Sequence, residues 1–343
     1  MSASTDNRTC AAVPPIKPKM LRKGDTVGII APSSPTFDPG VMGFTLDWLQ
    51  KLGLKHKLGE STFASYSSYA GSDEARLADL HRFYADSEVS AVLPLRGGAG
   101  AVRLLPKLDF ALIAANTKIL CGFSDITALL IAIHQKCNVI TFHGPTLNLM
   151  YENAYSHSYW LKAIMNSHPI GLITDPPQDD VWSYDYPPTR MVLAEGKGRG
   201  RLTGGCLTLI RGLMGTPYEI DTDDRLLFIE DVDEEPHTID RMLTQLDLAG
   251  KFKNVQGIIV GDCSGCRPGS SKRNIMTLNH SLEVVLRERL GHLGVPVVYG
   301  LKLGHTPEKL TLPLGVMASL EASPNGVRLK LEEGACGEKA PSP

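Results

Sequence analysis

The chain has 343 residues, with 35 Lys and Arg against 37 Asp and Glu and a formal charge of −2, so no basic excess argues for nucleic acid or an anionic membrane surface. That length allows two domains of ordinary size, and no apolar run approaches the roughly 18 residues of a membrane span. Seven cysteines are an odd number for a disulfide framework, and MSASTDNRTCAAVPPIKPK (1–19) lacks a basic segment followed by an apolar one, so a reducing cytoplasm is the expected compartment.

Residues 1–20 are polar and proline-rich and read as a flexible arm. Asp25–Ala31 (DTVGIIA) is an apolar strand between Gly24 and Pro32, and Val41–Leu52 has helical spacing. Asp73–Tyr84 sets Leu77, Leu80 and Tyr84 at i, i+3 and i+7 and puts Asp73 and Glu74 in the first turn, where the helix dipole favours acids. Ser90–Leu95 (SAVLPL) predicts a strand whose end Pro94 weakens. Strands at Lys118–Gly122 and Asn138–Phe142 flank a helix over Ile126–Lys136. Strands alternating with helices predict a parallel sheet covered on both faces, here over 21–160.

Residues 161–195 lose that rhythm and read as a linker around PPQDDVWSYDYPP (176–188), flanked by Trp160 and Trp182 as cleft border or core packing. Lys197, Arg199 and Arg201 alternate with glycines as a solvated edge at the start of a second αβ region, 196–334. Its helices are expected at Leu207–Met214, Thr238–Leu248 and Ile275–Leu290, and its strands at Arg225–Ile229, Gln256–Val260, Val295–Tyr299 and Lys309–Leu312. A hairpin with a type I′ turn on Asn325-Gly326 follows, then a frayed tail over 335–343.

In open parallel sheets, ligand sites lie at the carboxyl ends of strands. Ser124, in ILCGFSDITALL (119–130), falls at such an end and opens a helix. There a tight turn can lift the hydroxyl clear, and helix-start N–H groups, beginning with that of Asp125, are free to hold an oxyanion. The competing reading is a simple N-cap. A nucleophilic hydroxyl also needs a base and an orienting acid. Glu230 ends the strand RLLFIE, against the reading of a solvated acidic loop. His305 lies in the turn Gly304-His305-Thr306-Pro307, and His143 in Phe142-His143-Gly144-Pro145 competes for the base. Arg96-Gly97-Gly98-Ala99-Gly100 follows the strand SAVLPL, and its glycines let the backbone approach a ligand or turn N–H groups inward. As a dinucleotide loop it lacks the third glycine, because Arg103 stands there.

Together these stretches resemble the LD-carboxypeptidase family of serine peptidases from about Lys19 to Glu333. The carriers are DTVGIIAPSSP (25–35), AGSDEARLADLH (70–81), RGGAGAVRLLPKLD (96–109), GFSDITALL (122–130), TFHGP (141–145), LTGGCLTLIRGLMGTPYEID (202–221), LFIEDVDEEPHTIDRMLTQL (227–246) and GHTPEKLTLPLG (304–315). The resemblance implies an α/β protein with a flavodoxin-like parallel-sheet N-terminal domain and a smaller swivelling β/α C-terminal domain. It implies Ser124 as nucleophile, Glu230 as triad acid, His305 as base, and the N–H groups of Gly98 and Asp125 as oxyanion hole. Arg96, Gly97 and His143 fall to substrate binding, His143 as pocket wall. No metal or cofactor is required.

The implied substrate is a murein tetrapeptide losing its C-terminal D-alanine in cell-wall recycling, and the implied assembly is a homodimer. A sister group hydrolyses peptidyl-nucleotide antibiotics of the microcin C kind. The RGGAGAVRLL loop and the stretch after Glu230 side with the tetrapeptide enzymes. From another class, a non-catalytic muropeptide-binding protein would keep the fold without turnover. Two positions depart from the family: Ala99 stands where an aromatic residue is usual, and Cys206 where a polar one is. Cys263-Ser264-Gly265-Cys266 has no second ligand pair for zinc and reads as structural, with a reversible disulfide as alternative.

Overall fold

The computed structural model describes residues 13–36, 38–150, 153–176, 190–269 and 280–338. The N-terminal half runs β1 (Thr26–Ile30), α1 (Pro39–Lys51), β2 (Lys55–Leu58), α2 (Asp73–Ala85), β3 (Val89–Pro94), α3 (Phe110–Ala115), β4 (Ile119–Gly122), α4 (Thr127–Cys137), β5 (Thr141–His143) and α5 (Ala154–Ile164). The rest runs β6 (Gly171–Leu172), β7 (Met191–Ala194), β8 (Gly196–Cys206), α6 (Leu207–Gly212), β9 (Arg225–Glu230), α7 (Pro236–Leu248), β10 (Gly257–Gly261), α8 (Leu282–Leu290), β11 (Val297–Leu301), β12 (Leu312–Leu314), β13 (Met317–Ser323) and β14 (Gly326–Leu331).

Helix starts follow local side-chain chemistry. Ser72 accepts from the Ala75 N–H at the head of α2, Asn153 from Ser156 at α5, and Ser281 from Val284 at α8. Asp38 caps α1, with Pro39 in its first turn.

The first sheet has the order β12-β5-β4-β3-β1-β2. Its five strands β1 to β5 are parallel in the order 2-1-3-4-5, which is the flavodoxin-like winding. The order reverses between β1 and β3, so the crevice lies outside the carboxyl ends of β1, β3 and β4. The second sheet has eight strands in the order β6-β14-β13-β8-β9-β10-β11-β7, with β8 to β11 parallel and the flanking pairs antiparallel. Helix α4 is buried on nearly all sides, from Thr127 to His134 and again at Cys137. It packs against β5 and β12 of one sheet and against β8 and α6 of the other domain. A helix apolar all round needs cover all round, and α4 finds it between the two sheets.

Several expectations are corrected. The segment around Ile16–Met20 is no free arm: the Ile16 N–H donates to Asn138 O (2.6 Å), Ile140 N–H to Ile16 O (2.9 Å), and Met20 N–H to Gly337 O (3.0 Å). Prolines at 14, 15 and 18 favour an extended chain whose free backbone groups pair alongside β5 and the C-terminal segment. The tail is pinned over 335–338 by that same contact, with Ala335 and Cys336 buried; residues 339–343 of the tail and 1–12 of the arm lie outside the described residues. Within the expected linker, β6 pairs with β14 and β7 with β11; residues 177–189, with Trp182, lie outside the described residues. Trp160 belongs to the core, edge-on to Trp48 at 5.0 Å.

The supposed solvated edge is a central strand. Lys197, Arg199 and Arg201 line one face of β8 and pair with Glu321, Glu332 and Glu333. Strand β12 joins the first sheet, antiparallel to β5, although it follows the second domain in the chain. The hairpin β13–β14 forms, but Ser323 pairs with Gly326, so Pro324-Asn325 makes the turn. Proline fixes φ near −65°, which excludes the type I′ turn. Helix α8 begins at Leu282, and 275–279 of its expected span lie outside the described residues.

The two domains meet closely where a Cβ on Gly205 (φ 146°) would lie 2.4 Å from the Thr127 side chain. Gly205→Ala should therefore destabilise the protein by ~1–3 kcal/mol through overpacking, read as a lower urea midpoint.

Candidate active site

Strand β4 ends at Gly122, and the next residues turn sharply. Ser124 sits at φ 59°, in the left-handed region that costs a non-glycine residue roughly 1–2 kcal/mol, and opens a 3-10 turn leading into α4. Strand, serine at positive φ, then helix is the arrangement that presents a hydroxyl at the top of an α/β sheet. The approach is tight: a Cβ on Gly122 would meet Ile126 at 2.8 Å. The hydroxyl is half-buried and makes no hydrogen bond among the described residues.

The loop after β3 lies directly against it. A Cβ on Gly97 would sit 3.0 Å from Ser124 Cβ and 3.3 Å from its Oγ, so any side chain there would crowd the hydroxyl. Gly98 has φ 118°, and a Cβ on it would overlap Ser34 Oγ at 2.2 Å. Among the described residues, neither the Gly98 nor the Asp125 N–H has an acceptor. The loop is fastened at both ends. Ala99 N–H donates to Ser34 Oγ (3.1 Å), and Ala101 N–H donates to Asp125 Oδ2 (2.8 Å), which also receives the Ser33 hydroxyl (2.6 Å). Burial raises the pKa of the Asp125 carboxyl, and those two donors oppose the rise. Arg96 places one guanidinium N–H on Pro35 O (3.1 Å), also in the turn after β1.

The second domain contributes an acid and an imidazole. Glu230 ends β9 and is fully buried; His305 lies in the loop after β11, and its Nδ1 is 2.8 Å from Glu230 Oε2. With the carboxylate ionised, Nδ1 donates and Nε2 is left with its lone pair, the form a general base needs. The ring rests on Phe123, the residue before Ser124, with centroids 4.8 Å apart. Gly304 (φ 84°) makes room for the carboxylate, because a Cβ there would fall 1.9 Å from Glu230 Oε2. Among the described residues no hydrogen bond joins Ser124 to His305; such bonds commonly tighten only around substrate.

His143 is placed differently from expectation. It is completely buried at the end of β5, so its side chain lines no open pocket wall. Burial pushes its pKa down to about 3. Cys206 also lies buried, 3.8 Å from Asp231 Oδ1. Cys263 and Cys266 are free and buried, and Cys266 Sγ accepts the Glu234 N–H. Ser33, Ser34 and Phe123 carry parts of the site that residue-level reasoning left without a role. The available signal was position: Ala31-Pro32-Ser33-Ser34 directly follows β1, at the switch point.

Comparison with known proteins agrees with this architecture. The family model for the LD-carboxypeptidase N-terminal domain matches residues 27–144, and that for the LD-carboxypeptidase C-terminal domain matches 199–320. The chain is 40% identical over 310 residues to a probable murein peptide carboxypeptidase of Bacillus subtilis, covering 90% of this chain and 92% of that one. Its fold is similar to MccF in complex with glutamyl sulfamoyl guanosine (TM-score 0.83, 26% identity, 94% and 100% of the two chains). It is also similar to a muramoyltetrapeptide carboxypeptidase from Oxalobacter formigenes (TM-score 0.74, 26% identity, 90% and 99%).

The fit of Gly304 against Glu230 is testable. Gly304→Ala should displace the carboxylate, and the downfield ring N–H proton of His305 should disappear from the proton NMR spectrum, while Gly294→Ala, at a turn with open space, should leave that signal in place.

Proposed function

The chain belongs to the LD-carboxypeptidase family, and from that premise we propose that Ser124, Glu230 and His305 form the catalytic triad of a murein tetrapeptide carboxypeptidase. The observation that carries the reading is the 2.8 Å bond from Glu230 to a His305 ring resting on the neighbour of Ser124.

His305 Nε2 takes the Ser124 proton as Oγ attacks the carbonyl between the diamino acid and the terminal D-alanine. Glu230 holds the ring tautomer and stabilises the imidazolium that forms. The Gly98 and Asp125 N–H groups receive the oxyanion. His305 then protonates the leaving amine, D-alanine departs, and water attacks the acyl-enzyme by the same route in reverse. Arg96 and Gly97 border the pocket, Gly97 by leaving the hydroxyl uncovered. The family also carries the expectation of a homodimer. A reducing cytoplasm suits the cysteines, which are free wherever described.

Incubation with L-Ala-D-Glu-meso-diaminopimelate-D-Ala should release one alanine, and Ser124→Ala should lower that rate by ~1,000-fold or more. A Ser124→Ala protein as fast as wild type overturns the triad. Likeness to MccF favours a second reading, hydrolysis of aminoacyl-nucleotide analogues. Side-by-side turnover of the tetrapeptide and a glutamyl sulfamoyl nucleoside separates the two. Tight tetrapeptide binding by calorimetry with no product by mass spectrometry would instead mark a binding protein.

A further inference from the structure

Two polar groups face each other inside the protein without partners. Glu230 is held by His305 through Oε2, while Oε1 is buried and unpaired among the described residues. His143 Nε2 lies 3.9 Å from that oxygen, both side chains are 0% exposed, and neither ring nitrogen of His143 has a hydrogen-bond partner. A buried polar group left unpaired costs about 1–3 kcal/mol, and more when charged. Here two such groups are about 1 Å short of an ordinary N–H···O contact.

The backbone of His143 belongs to the nucleophile's sheet. It pairs with Gly122, two residues before Ser124, and with Leu312 of β12. Its ring reaches the other domain, edge-on to Phe228 at 5.2 Å. Burial and the neighbouring His305 keep it neutral across the physiological range, so it can donate one N–H without adding charge.

We propose that His143 is a positioning residue for the triad acid: its Nε2–H donates to Glu230 Oε1 when the two sheets approach by about 1 Å, so that the carboxylate is held on both oxygens by two histidines. The proposal rests on the triad reading above. It makes acid orientation sensitive to the gap between the sheets, because the donor belongs to the serine's sheet and the acceptor to the other. The other titratable groups around Glu230 are Asp231 and the thiols of Cys206 and Cys263, all with pKa values raised chiefly by burial except that Cys263 is raised first by its contact with Cys266.

The sign of the effect follows from which state the donor favours. A bond to ionised Glu230 stabilises the pair without its extra proton; removing the bond lets the Glu230–His305 pair take up a proton more readily. In His143→Phe the acid limb of kcat/KM should move up by about half a pH unit or more, and kcat should fall with KM little changed. His143→Gln, which keeps a donor, should restore much of both. In wild type, nitrogen-15 NMR of labelled histidine should show His143 protonated on Nε2, a measurement that needs neither turnover nor a folded variant.

An Nδ1-protonated His143, or a His143→Phe protein whose pH profile and kcat match wild type, overturns the proposal, whatever happens to thermal stability. Ser124→Ala distinguishes the failures. If that variant is inactive while His143→Phe matches wild type, only this proposal falls; if Ser124→Ala is fully active, the triad reading falls with it.

Discussion

At the last residue of β8, Cys206 donates its N–H to the Thr127 hydroxyl over 3.2 Å, and the glycine before it leaves no room for a side chain against that threonine. Thr127 is the first residue of α4, three after Ser124, and Cys206 is the register partner of Glu230 on β9. One close approach between two sheets therefore brings the carboxyl end of β4 beside that of β9. Ser124 and Glu230 are 106 positions apart in the chain, yet each is only a few residues from this contact. The buried helix α4 and the return of β12 into the first sheet hold the same junction from other sides.

Around the serine, the backbone is shaped by what it cannot accommodate. Gly97, Gly98 and Gly122 each stand where a Cβ would strike the nucleophile turn or its supports. Asp125 links the pieces. Its carboxylate ties Ser33 and Ala101 together, while its own N–H has no acceptor among the described residues. A buried carboxylate is tolerable when donors surround it, and these donors come from the turns after β1 and β3. The proposed oxyanion donors, the Gly98 and Asp125 N–H groups, thus stand on segments that follow directly from β3 and β4.

Much of this was legible in the chain because the decisive segments are locally unambiguous. DTVGIIA, RLLFIE and the strand before Ser124 are short apolar runs bounded by breakers, and they became β1, β9 and β4. What escaped depends on distant partners. KGRGRLTGGC shows charge and glycine where a central strand usually shows β-branched residues, because its exposed face is neutralised by acids more than 100 positions away. KHKL forms the edge strand β2, whose half-exposed setting leaves little apolar pattern to read. LPL gives no hint that its partner is β5 rather than a neighbour in the second domain. His143 reads as a site residue by its position at a strand end, and the sequence carries no sign that its side chain is buried facing Glu230 at 3.9 Å.

The division of labour between the sheets has a physical reason. Removing a carboxylate from water is expensive unless its charge is matched by donors that stay in place. Glu230 ends β9 of the second sheet, and the His305 that holds it lies in the loop running from β11 of that sheet to β12 of the first. Phe123, which packs against the His305 ring, and His143, which faces the free oxygen of Glu230, both cross the boundary between the sheets. A displacement that draws Ser124 toward the imidazole carries both with it, because β4 and β5 are neighbours in one sheet. Under the proposed roles, alignment of the acid and approach of the nucleophile are a single motion.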